Sequence, residues 1–188
     1  MRTHAFSVPF YSFDIANWEE QKDILKSQLP IFEDSVLQSY QEHHTDFFDM
    51  DATDPLPDYA DTVIEMCKPC FKDIIGDGDM LFTGMWTQTS YKHQRHSIHN
   101  HGGTGYSCVL YVEFDPEVHR ATTFLSPYNN PWSGSLDYYS PMVSEGSLVV
   151  FPSTIAHWAE PNLSDKPRTI VSFNVRGHVD LVKRRITP

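Results

Sequence analysis

The stretch GSLVVFPSTIAHWAEPNLSDKPRTIVSFNV, residues 146–175, decides the fold. Gly146 opens a run of β-forming residues that Pro152 ends. A second short run, Ile155–Trp158, follows. A third, Arg168–Val175, comes after a connection rich in Pro, Asn, Ser and Asp. In this last run the two-residue period of a strand places Arg168, Ile170, Ser172 and Asn174 on one face. Thr169, Val171, Phe173 and Val175 take the other. An Arg that points into a β-core needs a carboxylate, from the protein or from a ligand, because a lone buried charge is costly. A guanidinium fork suits a ligand carboxylate, which it grips with two parallel hydrogen bonds.

Upstream, the same texture extends back to Met80. Leu81–Ser90, Ser97–His101, Tyr106–Phe114 and Ala121–Leu125 are further short β-rich runs separated by Gly, Pro, Asn and Asp. Together with Ser147–Phe151 they predict a sandwich, barrel or jelly roll. Before Met80 the signals are mostly helical. Phe6, Val8 and Phe10 alternate as in a first strand. Asn17 and Glu20 are spaced as a capping box for a helix that runs to about Gln28 and stops before Pro30. A second helix is expected over roughly Glu33 to His43. A third carries Val63, Cys67, Cys70, Phe71 and Ile74 on one face, with Gly76 closing it. The chain is therefore expected to be mainly β with N-terminal helices. No linker divides it, so one domain over 1–188 is expected, with a helical part (1–79) packed on a β-core (80–188).

The 188 residues carry a net charge of −11, from 25 acidic and 14 basic side chains. A nucleic-acid partner would call for the opposite balance. No run of about 18 apolar residues suggests a membrane-spanning helix, and the first residues lack the apolar core of a secretory signal. Three cysteines are too few for a disulfide framework, which favours a reducing cytoplasm. Residues 27–67 hold ten acids and no Lys or Arg, which reads as a solvated face and loop, or as a surface for a basic partner. Asp49-Met-Asp51-Ala-Thr-Asp54 is not a calcium loop, because Asp54 stands where the turn glycine belongs and Ala60 where the bidentate Glu belongs. Cys67-Lys-Pro-Cys70 lies on an apolar helical face with no second pair to complete a zinc site, so both thiols read as buried packing groups. Asp73–Met80 is a turn without a phosphate-binding motif.

The chemistry concentrates in His93-Gln-Arg-His96-Ser-Ile-His99-Asn-His101-Gly-Gly, four histidines in nine residues. An extended Ser97–His101 puts His99 and His101 on one face, where two imidazoles can share a metal ion. His96 would then point the other way. His157, just beyond the Gly146–Pro152 strand, is a third candidate ligand. Three histidines with a bound water also suit a zinc hydrolase or lyase, although no catalytic base accompanies them. A cupin-like binding protein fits less well, since Gly102–Ser107 lacks a Glu.

The ordered set Trp86, His99-Asn-His101-Gly-Gly-Thr-Gly-Tyr-Ser-Cys-Val-Leu-Tyr111-Val, Gly146–Pro152, His157 and Arg168–Asn174 resembles the iron(II)- and 2-oxoglutarate-dependent oxygenases. It is most similar to the small prolyl-hydroxylase-related group with an HxH motif. The resemblance spans about half the chain and implies a double-stranded β-helix, or jelly roll. By position it makes His99, His101 and His157 the metal ligands, and Arg168 the partner of the distal 2-oxoglutarate carboxylate. Tyr111, Ser172 and Asn174 become candidate cosubstrate contacts. The activity implied is oxidative decarboxylation of 2-oxoglutarate to succinate, coupled to hydroxylation of a small-molecule or peptide substrate. Two positions depart from the family pattern. His101 stands where most of the superfamily has Asp or Glu, which leaves more positive charge on the metal and makes Zn(II) a competitor for Fe(II). Ile170 stands where relatives often have Ser. Substrate specificity is expected from the N-terminal part and from the Tyr- and Trp-rich loop 126–141, which would suit a lid and equally a packed surface loop.

Overall fold

The computed structural model describes residues 7–35, 37, 41–49, 55–75 and 79–177. Among the described residues, ten strands and two α-helices follow the order β1 (Tyr11–Asp14), α1 (Trp18–Gln28), β2 (His44–Thr45), α2 (Ala60–Ile75), β3 (Met80–Ser90), β4 (His96–His99), β5 (Tyr106–Glu113), β6 (Thr123–Asn129), β7 (Leu136–Tyr139), β8 (Ser147–Pro152), β9 (His157–Ala159) and β10 (Arg168–Gly177). A one-turn 3-10 helix, Phe47–Asp49, follows β2. All strand pairs are antiparallel. A six-stranded sheet runs β1-β8-β5-β10-β3-β2, and a four-stranded sheet runs β4-β9-β6-β7. Among the described residues no helix is long and apolar enough to cross a membrane.

The alternation read in β10 is realised. Val171, Phe173 and Val175 join Leu110, Val112, Leu148 and Val150 in a core with Leu25 of α1 and Val63, Cys67 and Phe71 of α2. Ile170 faces the other way, with Val109, Tyr111, Val149 and Phe151, against Phe124 of the smaller sheet. The helices thus cover one face of the large sheet, and the small sheet covers the other. Gly146 makes the first of these contacts possible. Its φ is +79°, and a Cβ there would lie 2.5 Å from the Trp18 ring at the start of α1.

Several local expectations are corrected. The first strand begins at Tyr11, and Val8 and Phe10 lie before it. Phe10 stacks in an aromatic group with Phe124, Tyr139 and Phe151; its alternation with Val8 serves packing between the sheets. Phe6 lies outside the described residues. α1 has the expected bounds, but Asn17 sits in the left-handed region (φ 53°, ψ 36°) without a side-chain cap, and its carbonyl accepts from Glu20 N instead. Of the stretch 33–43, residues 33–35, 37 and 41–43 are not helical and the rest lie outside the described residues. Gly76 and residues 50–54 also lie outside them. Loop 126–141 contains β6 residues and β7, a hairpin at the edge of the small sheet. Cys67, Cys70 and Cys108 are free and buried, and burial pushes all three thiols up, as packing groups require.

Candidate metal centre

His99 ends β4, His101 follows two residues later, and His157 opens β9, the strand paired with β4. Each offers one ring nitrogen to a set lying within 4.8 Å of one another. The other ring nitrogen is engaged in every case. His99 Nδ1 donates to the Ser97 carbonyl at 2.8 Å, and His157 Nδ1 to the Ile155 carbonyl at 2.9 Å. A carbonyl can only accept, so these Nδ1 atoms carry the proton and Nε2 holds the lone pair. His101 Nδ1 donates to Asn174 Oδ1 at 2.8 Å, with Ser107 Oγ at 2.9 Å. Ser107 Oγ also lies 2.7 Å from Asn174 Oδ1. All three rings are therefore held by groups outside the donor set, in the tautomer that a metal ion takes.

Burial prepares the same state. It lowers the pKa of all three rings, that of His157 to about 3. The rings are neutral near pH 7, and binding a cation there displaces no proton from them.

His96 does not point away. Its ring stacks on His99 at 3.9 Å and meets His43 at 4.4 Å. The cause is a register shift: His96 pairs with Ala159 and His99 with His157, so three steps on β4 match two on β9. Such a bulge resets the alternation and brings residues an odd number apart to one side. His43 and His96 are pushed down by burial to about 4 and about 2. Neither belongs to the three-histidine donor set.

The segment that carries His43 was not legible as part of a site. Two of its acids make tertiary contacts and are not simply solvated. Glu42 accepts from Ser97 N at 2.6 Å and Ser97 Oγ at 2.5 Å, which ties the segment to β4. Burial opposes its charge, but Ser97 and the Arg95 guanidinium outweigh that and hold the carboxyl below its usual range. Asp46 accepts from Thr87 N of β3 and from the Tyr59 hydroxyl, both at 2.7 Å. Burial raises its pKa in spite of those bonds. Residues 42–49 thus bridge both sheets beside the histidines.

The predicted cosubstrate residues separate. Ser172 lines a narrow inner recess, about 20 Å³, with His99, His101, His157, Thr122 and Ile170. Arg168 is 5% exposed. Its Nη1 donates to the Arg120 carbonyl at 2.9 Å, and among the described residues no carboxylate forms an ion pair with it. A buried guanidinium with a single carbonyl partner is well short of its five donors. The Tyr111 hydroxyl is engaged by Thr122, donating to its Oγ1 at 3.1 Å and accepting from its N–H at 3.0 Å. Neither Arg168 nor Tyr111 lines the recess itself. Asn174 Oδ1 is committed to His101 and Ser107.

Comparison with known proteins agrees with the geometry. Residues 84–174 match the family model described as "Putative 2OG-Fe(II) oxygenase". No curated protein matches the chain. Among solved structures it is similar to AviO1 from Streptomyces viridochromogenes Tue57, at TM-score 0.62 and 12% identity over 90% of each chain. It is similar to HygX from Streptomyces hygroscopicus, solved with nickel and 2-oxoglutarate bound, at TM-score 0.60 and 10% identity over 90% of this chain and 82% of that one. A prolyl-4-hydroxylase from Pseudomonas putida matches at TM-score 0.52 and 12% identity, over 90% and 94%. The match to a 2OG-Fe(II) oxygenase family oxidoreductase from Burkholderia pseudomallei spans 58% of that chain's length. Residues 84–174 are thus similar to the 2OG-Fe(II) oxygenases, and His99, His101 and His157 all fall within that stretch.

Proposed function

We propose that the protein is an iron(II)- and 2-oxoglutarate-dependent oxygenase whose metal is held by His99, His101 and His157 through Nε2, and that it hydroxylates a small-molecule or peptide substrate. The observation that carries this is the convergence of three imidazoles, each pinned at Nδ1 by an acceptor outside the donor set. The two facing antiparallel sheets support a double-stranded β-helix core, and the helices packed on the larger sheet support one domain over 1–188. Three free thiols fit a reducing compartment such as the cytoplasm.

The metal and its cosubstrate, when bound, supply the oxidising chemistry that carbon hydroxylation needs. The chain supplies the rest. Asn174 and Ser107 fix the plane and tautomer of His101. The carbonyls of Ser97 and Ile155 do the same for His99 and His157. Arg168, buried and without an ion-paired carboxylate among the described residues, is suited to the far carboxylate of a dicarboxylic acid. Ile170 shares the Arg168 face of β10 and lines the recess next to Ser172. Admission of a keto acid therefore requires Ile170 and its neighbours to give way. Tyr111 acts at one remove, by holding Thr122 on the recess wall.

A zinc-loaded form is the second reading, favoured by the all-imidazole donor set, which matches the three-histidine sites that Zn(II) occupies. One experiment separates the two. Protein purified without oxygen is analysed for metal, then given Fe(II), 2-oxoglutarate and air. Succinate release above the metal-free control supports the oxygenase. Tight zinc with no succinate after exchange to iron contradicts it.

A further inference from the structure

A cavity of about 440 Å³ opens on His99 and His101. That volume is within the range of small-molecule sites. Aromatic surface comes from Phe47, Phe48 and Trp86, and neutral hydrogen-bonding groups from Thr45, Gln88 and Asn100. Among the described residues no Asp, Glu, Lys or Arg lines it, although the chain carries 39 such residues, 25 acidic and 14 basic.

The aromatic side is built, not incidental. Trp86 packs its ring 5.3 Å from His101, and Phe47 meets Trp86 edge-on at 5.1 Å. Phe48 meets Phe47 at 5.4 Å. The series runs from a proposed metal ligand to the surface, where Phe47 and Phe48 are 48% and 54% exposed. Large apolar side chains left that open beside a cavity offer area to a ligand. The turn that carries them is fixed at both ends of its first residue. Asp46 ties it to Thr87 of β3 and to Tyr59, just before α2, and Thr45 Oγ1 accepts from Phe47 N at 3.1 Å. Such a wall is pre-organised, so little ordering cost falls on the ligand.

We infer that this cavity receives an uncharged, ring-bearing group of the substrate, held against Phe47 and Trp86, and that it rejects ionised groups. A flat ring gains aromatic contact beyond the area it buries. In the metal-free chain an ionised group would lose water without meeting an opposite charge on the described lining residues. Calling the ligand a substrate rests on the oxygenase function proposed above, whereas the binding itself needs no metal.

The test uses three probes that share one ring system: neutral indole, anionic indole-3-acetate and cationic tryptamine. Each is titrated into the metal-free full chain and followed by NMR, with the ring signals of His99 and His101 reporting position. Indole is expected to bind at least about tenfold more tightly than either ionised relative. Phe47→Ala, a half-exposed position whose fold is checked by circular dichroism, should weaken indole several-fold. Phe47→Lys should shift preference toward indole-3-acetate. The inference is overturned if an ionised probe binds as tightly as indole. It is equally overturned if Phe47→Ala leaves indole binding unchanged, or if indole produces no shift. Missing succinate release with the indole preference intact would instead count against the oxygenase function alone.

Discussion

The two faces of the six-stranded sheet differ in a way that separates stability from chemistry. Toward the helices, β10 presents Val171, Phe173 and Val175, all buried among aliphatic and aromatic side chains. Toward the small sheet, the same strand presents Arg168, Ile170, Ser172 and Asn174. The first face buries apolar area and no charge, which is what holds a fold together. The second spends part of its surface on a buried guanidinium and on an amide that orients a histidine. One strand does both because side chains alternate, so neither role intrudes on the other.

This division can be broken at single residues. His157→Ala removes one of the three donors, and metal affinity should fall by more than about 100-fold, beyond what an outer partner is worth. Calorimetric titration with Zn(II) checks it, and the metal-free protein should still unfold cooperatively. Phe173→Ala tests the opposite face. It should cost about 3–5 kcal/mol in denaturant unfolding, while metal affinity of the folded fraction stays unchanged. Asn174→Ala, on the site face of the same strand, should weaken metal binding by about 10–100-fold and leave unfolding nearly unaltered. Equal loss of stability in the Phe173 and Asn174 variants would erase the distinction between the faces.

A further effect is pH-dependent. His43 and His157 are both nearly fully buried, and burial holds them at about 4 and about 3. The unfolded chain takes up protons near the usual histidine value, whereas the folded chain refuses them until much lower pH. Stability is therefore complete above about pH 6.5 and falls as pH drops toward those folded values, with a slope of up to about 1.4 kcal/mol per pH unit for each ring. Thermal unfolding of the metal-free protein between pH 7 and 5 should show the decline, and His43→Gln should flatten it.

Much of this was legible in the sequence, for a physical reason. The β10 alternation, the seven β-rich runs and the face of α2 all follow periods that burial imposes over many residues. His99 and His101 stood out because the strand period puts them on one face, and His157 because it lies just beyond the Gly146–Pro152 strand. What was missed depends on contacts remote in sequence. The bulge that turns His96 toward His99 is a property of two strands together. The use of Glu42 and Asp46 as ties depends on where Ser97 and Thr87 come to lie. β7 was hidden inside a loop of turn-forming residues, because edge strands carry little apolar pattern. The period places Asn174 on the site face, but its hydrogen bond to His101 depends on two segments remote in sequence.

The central claim joins the three imidazoles to the buried guanidinium in one cofactor site. It is tested most directly by titrating 2-oxoglutarate, without oxygen, into Fe(II)-loaded wild-type protein and into Arg168→Met. The account predicts one-to-one binding to the wild type, weakened by about 10–100-fold in the variant as charge-assisted hydrogen bonds are lost, with iron content unchanged. Undiminished affinity in Arg168→Met, with the same iron content, would contradict it.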